Sequence, residues 1–150
     1  MRPQDLKYTE THEWVKINGK KGEALVGITD YAVSQLSDLV HIDLPKAGEK
    51  VEQGAAFGEV ESVKTVADLV SPVTGKIVDV NKEISEHPEN LSEDPFEKGW
   101  LIKIKIEDTK DIESLMTAKE YEEFLESGKE EEEEDKKEKE EEDVDEDDFM

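Results

Sequence analysis

The chain has 150 residues and a net charge of −23, from 42 acidic and 19 basic residues. That surplus argues against a nucleic-acid partner, because phosphate backbones are bound by clustered Lys and Arg. With no cysteine, disulfides, thiolate metal sites and cysteine nucleophiles are excluded.

The charge is unevenly spread. Lys129 to Met150 hold 15 acidic residues, 4 basic ones and three apolar ones, a net of −11. The expectation is a compact domain over residues 1–128, followed by a disordered acidic tail over 129–150. No run approaches the ~18 apolar residues needed to span a bilayer. The opening MRPQDLKYTETHEWV lacks the apolar core of a signal peptide and the Arg- and Ser-rich character of a transit peptide. The expected setting is therefore soluble and away from membranes: a prokaryotic cytoplasm, or the mitochondrial matrix for a trimmed eukaryotic form.

Along the chain, His12 to Ile17 and Glu23 to Ile28 flank Asn18-Gly19, a dipeptide that readily takes the positive φ of a hairpin turn. From Thr29, a candidate N-cap, Ala32, Val33, Leu36, Leu39 and Val40 recur at helical spacings. Val40, Ile42 and Leu44 then alternate as a strand up to the turn Pro45-Lys46-Ala47-Gly48. Gly54 to Val63 and Val66 to Val70 are β-rich segments meeting at Lys64-Thr65, which predicts a hairpin tip with an outward lysine. Ser71-Pro72 and Thr74-Gly75 punctuate the chain before a strand over Lys76 to Val80. Glu86 to Gly99, with Pro88, Asn90, Pro95 and Gly99, reads as a surface loop.

Trp100 to Ile106 alternates again. Thr117-Ala-Lys-Glu120 has capping-box spacing and opens a helix presenting Tyr121, Phe124 and Leu125, so the domain is expected to end near Gly128. Many short strands with turn signals between them predict a mainly β sandwich or barrel with one internal and one C-terminal helix.

Little in the chain points to catalysis. His12, His41 and His87 are scattered, and there is no His-Glu-x-x-His or Gly-x-Ser-x-Gly. His12 beside Glu13 and Trp14 reads better as a structural residue than as a general base, and the two tryptophans as packing. Gly54, Gly58 and Gly75 open no phosphate loop. Asp143, Asp145 and Asp147 alternate without the glycine and distal Glu of a calcium loop, so no metal site is expected. By spacing alone, Lys64 is an ordinary solvated lysine.

The string Gly58-Glu-Val-Glu61-Ser62-Val63-Lys64-Thr65, followed by Ala67-Asp68-Leu69 and Ser71-Pro72-Val73-Thr74-Gly75, resembles the lipoyl-lysine hairpin of the glycine cleavage system H proteins. Thr11-His12-Glu13-Trp14-Val15, Gly27-Ile28-Thr29-Asp30, Asp94-Pro95-Phe96, Gly99 to Ile104 and Ala118 to Tyr121 match the same family in order and spacing. The likeness spans Leu6 to about Leu125. Val63-Lys64-Thr65 matches neither the Met-Lys-Met of biotin carriers nor the Asp-Lys-Ala of dehydrogenase lipoyl domains.

The resemblance implies a lipoyl/biotinyl-type β sandwich (a barrel-sandwich hybrid) and a non-catalytic carrier with lipoic acid in amide linkage to Lys64. Glu61, Ser62, Val63 and Thr65 would shape the attachment turn, and Thr11, Glu13 and Asp68 would line a cleft for the aminomethyl-loaded arm. It implies as partners glycine decarboxylase (P protein), aminomethyltransferase (T protein), dihydrolipoyl dehydrogenase (L protein), and a lipoate ligase or lipoyl/octanoyl transferase. Two other readings share these residues: a lipoate relay or carrier for another complex, and an unmodified interaction module whose acidic tail binds basic partners. The long acidic extension departs from the family pattern.

Overall fold

The computed structural model describes residues 3–36 and 38–127. In chain order the elements are β1 (Lys7–Tyr8), β2 (Glu13–Asn18), β3 (Glu23–Ile28), α1 (Asp30–Leu36), β4 (Leu39–Asp43), β5 (Lys50–Val51), β6 (Ala56–Ser62), β7 (Val66–Val70), β8 (Gly75–Val80), α2 (Lys82–Glu86), α3 (Glu89–Glu93), β9 (Ile102–Ile106), α4 (Lys110–Glu113) and α5 (118–127). Two antiparallel sheets form, one ordered β1-β2-β3-β9-β8-β5 and the other β4-β6-β7. The expected mainly β sandwich is therefore present. Period-2 alternation explains it: Val15, Val26, Ile77 and Ile104 from the large sheet meet Ile42, Val60 and Leu69 from the small one in a shared core.

A second cluster lies on the outer face of the large sheet, where α5 packs over β1 and β2. Tyr8 and Tyr121 stack at 4.9 Å and 9°, and Trp14 and Leu125 belong to the same cluster. The capping box forms as expected, with the Thr117 N–H donating to Glu120 Oε1 (3.1 Å) and the Glu120 N–H to Thr117 Oγ1 (3.2 Å). At α1 the Ala32 N–H donates to Thr29 Oγ1, the expected N-cap. Gly128 and the tail lie outside the described residues.

Four details differ from the expectation. The first hairpin pairs through Asn18 and Glu23, which leaves a loop over 19–22 whose positive φ falls at Gly22, because full pairing of both strands pushes the tight bend to the loop's far end. Helix α1 stops at Leu36, and Leu39 and Val40 start β4 instead. The register shifts between Leu39 and His41, turning Val40 outward while Ile42 stays in the core.

Glu86 to Gly99 is no simple loop, since α2 closes within it and α3 lies wholly inside it, burying Leu91. Asn81 organises this corner: its Oδ1 accepts the Ile84 N–H, and its Nδ2 donates to the carbonyls of Lys98 and Trp100. The tip of the β6–β7 hairpin is centred on Val63-Lys64, because Ser62 and Thr65 close it with a 2.8 Å backbone bond.

Trp14 sits opposite Gly27 in the β2–β3 ladder, and its ring lies across the bare glycine backbone while Nε1 donates to the Pro95 carbonyl at 2.8 Å. A Cβ on Gly27 would come within 2.5 Å of the indole, so the ring must move. Gly27→Ala is expected to cost about 1–3 kcal/mol through overpacking, read as a lowered thermal midpoint with altered tryptophan emission. An unchanged midpoint would show that the ring does not need this glycine.

Candidate functional site

The β6–β7 hairpin presents its tip through one serine. Ser62 is buried, and its Oγ accepts the N–H groups of Lys64 (3.4 Å) and Thr65 (3.2 Å), with the Thr65 carbonyl also in reach at 3.3 Å. Such a side chain satisfies turn amides that no strand can pair. The Val63 N–H donates to the Asp38 carbonyl at 3.0 Å, which braces the tip against the chain leading into β4. Lys64 is exposed at this tip, and Val63, Val66 and Val40 are exposed apolar residues. Glu61, also exposed, sits across from His41 on one side and Val66 on the other. The structure thus gathers Glu61, Ser62, Val63, Lys64 and Thr65 in one turn.

Beside the hairpin lies a cleft of about 270 Å³. Its walls are Ile28, Leu36, Val60 and Leu69, and its polar groups include Thr11, Glu13 and Asp68. The three cleft residues singled out in the sequence therefore share one cavity, although they come from the turn before β2, the start of β2 and β7. Asp68 is exposed at the rim and four residues from Lys64, roughly 13 Å along an extended strand.

Glu13 is only 1 % exposed. Its Oε1 accepts hydroxyl hydrogens from Thr9 (3.0 Å) and Thr11, and its backbone N–H donates to Thr9 Oγ1 (3.0 Å). Burial pushes its carboxyl from the ordinary 4.5 up to about 7, against the opposing pull of the two threonine hydroxyls and the Val70 backbone amide. Desolvation of a carboxylate outweighs neutral hydrogen bonds here because none of these donors carries a charge.

A residue left as structural in the sequence turns out to shape the cleft. His12 has φ of 72°, a left-handed conformation that a residue with a Cβ takes only when its surroundings hold it there. Its N–H donates to the Thr9 carbonyl and its carbonyl accepts the Thr29 N–H. Its Nδ1 lies 2.8 Å from the Tyr121 hydroxyl, which is also 2.8 Å from Thr29 Oγ1. This chain of contacts turns Thr11 and Glu13 toward β7. The sequence shows Tyr121 as one member of an apolar helix face; only the assembled fold shows its hydroxyl at work.

The arrangement suits holding rather than transformation. It offers an exposed primary amine on a braced turn and, alongside, an apolar-walled slot with acidic groups for a cation. Among the described residues, no three His, Asp or Glu side chains are grouped to hold a metal ion, and no helix is long and apolar enough to cross a membrane.

Comparison with known proteins agrees with this geometry. The family model described as Glycine cleavage H-protein matches residues 6–128. The glycine cleavage system H protein of Halalkalibacterium halodurans is 49% identical over 123 residues, covering 82% of this chain and 94% of that protein. The protein of the same description from Geobacillus sp. strain WCH70 is 44% identical over 126 residues, covering 84% and 98%. The crystal structure of a glycine cleavage system H protein from Mycobacterium marinum superposes with a TM-score of 0.74 at 42% identity, covering 80% of this chain and 95% of that one.

The Glu13 carboxyl makes stability depend on pH in a defined direction. Below pH 4.5 it is protonated in both folded and unfolded chains. Between 4.5 and about 7 the unfolded chain releases the proton while the folded one retains it, so stability falls as pH rises, by roughly 3 kcal/mol in all. Glu13→Gln removes this contribution. The variant is expected to match wild type near pH 4.5 and to exceed it at pH 8 by up to that amount, as measured by denaturant unfolding. A difference that does not change with pH would contradict the buried carboxyl.

Proposed function

The chain belongs to the glycine cleavage H-protein family, and from that premise we propose that Lys64 is the lysine that carries its lipoyl group. The protein is the non-catalytic lipoyl carrier of a glycine cleavage system, with lipoate covalently attached to a lysine, and it works with the other enzymes of that system. Once attached, lipoate supplies a dithiolane at the end of a long arm, able to carry a one-carbon amine fragment and a pair of electrons.

The observation that carries the assignment is the exposed position of Lys64 on a turn pinned by Ser62. A modifying enzyme must reach the amine, and a fixed turn presents it without first ordering a loop. Acylation removes the lysine charge, and tethering keeps the cofactor at a high effective concentration for each partner. Glu61, Val63 and Thr65 flank Lys64 in the turn and form the surface that a lipoate ligase or lipoyl/octanoyl transferase reads. Glycine decarboxylase, aminomethyltransferase and dihydrolipoyl dehydrogenase are the partners that the arm visits in turn, in the cytoplasm of a prokaryotic cell.

Thr11, Glu13 and Asp68 receive the loaded end of the arm. A protonated amine entering the cleft meets Glu13, and a cation within about 4 Å attracts a carboxylate by on the order of 4 kcal/mol at an effective dielectric near 20, before desolvation reduces it. That attraction favours the ionised form of a carboxyl that burial has raised to about 7. Entry of the amine therefore displaces the carboxyl proton, and the apolar walls limit access of water.

Lys64→Arg keeps the charge and the turn but offers no acylatable amine. Peptide mass mapping of wild type from a lipoate-competent host is expected to find lipoate on the peptide containing Lys64, and none anywhere in a folded Lys64→Arg variant. Lipoate on another lysine would overturn the assignment.

A further inference from the structure

A groove larger than the cleft lies by the β2–β3 hairpin, in the other sheet from the Lys64 turn. It runs from the β2–β3 loop onto the outer face of the six-stranded sheet, the face turned away from the small sheet and its hairpin, and measures about 700 Å³. On this outer face its apolar floor is Leu25, while Ile17 and Ala24 line it from the core side; its rim carries Lys16, Lys20, Lys21 and Lys103, with Glu23 the one acidic lining residue. Strand register builds this rim: Lys16 pairs with Leu25 and Leu25 with Lys103, so two lysines flank one apolar residue across three neighbouring strands. Among the described residues none of these four lysines is in an ion pair. Lys105 adds to the basic character nearby, its Nζ donating to the Lys21 carbonyl. On a chain of net charge −23, a cluster of lysines round an apolar floor is a local reversal of sign that calls for an acidic occupant.

The chain contains such an occupant. Residues 129–150 have a net charge of −11, and their three apolar residues are Val144, Phe149 and Met150. The attachment point is favourable, because α5, the last described element, packs on the same outer face, and Leu25 belongs both to the cluster under α5 and to the groove floor. Twenty-two residues give up to about 70 Å of contour length, far more than the roughly 20 Å length of β2.

We propose that the acidic C-terminal segment docks in cis on the lysine-rimmed groove, its acidic residues against Lys16, Lys20, Lys21 and Lys103 and its terminal Phe149-Met150 on the Leu25 floor. Tethering favours this segment over an acidic partner in solution, since linkage through α5 gives it an effective concentration in the millimolar range. Docking there shields this basic groove of an acidic carrier from unrelated acidic proteins. It leaves the Lys64 turn, on the other sheet, open to its partners.

Zero-length carbodiimide cross-linking of the full-length protein, followed by peptide mapping of the monomer band, tests this directly. The expected result is cross-links from the acidic residues of 140–148 to Lys16, Lys20, Lys21 and Lys103, enriched over those to Lys46, Lys82 and Lys98. Their yield should fall several-fold at about 1 M salt, where the screening length is about 3 Å. In the full-length triple variant Lys20→Gln, Lys21→Gln, Lys103→Gln, the residual cross-links to Lys16 should fall and the amide resonances of Phe149 and Met150 should shift, with the thermal midpoint unchanged. Cross-links spread evenly over all exposed lysines, cross-links found only between copies in a dimer band, or Phe149 and Met150 resonances indifferent to the triple substitution would overturn the proposal.

Discussion

The Tyr121 hydroxyl lies 2.8 Å from His12 Nδ1 and 2.8 Å from Thr29 Oγ1, and through these contacts it ties together three segments distant in sequence. One is α5, which supplies the tyrosine. Another is the turn before β2, which His12 holds in a left-handed conformation. The third is the start of α1, where Thr29 also caps the helix. The cleft beside the β6–β7 hairpin is made from the last two, with β7 opposite. A polar triad with Tyr121 and Thr29 buried and His12 half-buried, beside the Tyr8–Tyr121 stack, has its hydrogen bonds strengthened by the low local dielectric and leaves little freedom to the backbone it anchors. The outer layer of the fold thus sets the shape of the inner site.

Glu13 shows why that shape matters. A carboxyl at 1 % exposure would be a liability in an ordinary core, since charge is costly to bury and a neutral acid must still find partners. Here Thr9 and Thr11 meet one of its oxygens, and burial raises the group to about 7. The Glu13 carboxyl is accordingly near the midpoint of its titration at neutral pH, and under the proposed function a cationic guest would tip it to the carboxylate. Asp68, at the exposed rim, has full access to water and contributes charge of a different kind, screened by salt. Under the proposed function, an interior acid for holding and a rim acid for attraction would suit a carrier whose cargo must stay bound between enzymes yet leave on arrival.

What local pattern could reveal, the sequence revealed: both hairpins, the Thr29 cap and the Thr117–Glu120 capping box all depend on residues within a few positions of one another. Lys64 was different, because alternation and turn signals placed it at a tip but only the run of residues around it, in a family's order, distinguished it from any surface lysine. Helices α2 and α3 were hidden by Pro88, Asn90 and Pro95, which punctuate loops and begin short helices equally well, while the burial of Leu91 comes from packing. The outward turn of Val40 followed from a bulge, which shifts strand phase without altering composition. The burial of Glu13 was least legible of all, since a carboxylate beside a β strand reads as solvent-facing until β7 and α1 are laid over it.

Under the proposed function, the cleft of Thr11, Glu13 and Asp68 shelters the loaded end of the arm. The most direct measurement is the spontaneous loss of formaldehyde and ammonia from the loaded carrier, with no partner enzyme present, for wild type and for Glu13→Ala. With folding and lipoylation of the variant verified beforehand, the account predicts markedly faster loss from Glu13→Ala near neutral pH. Equal rates for the two proteins would contradict it.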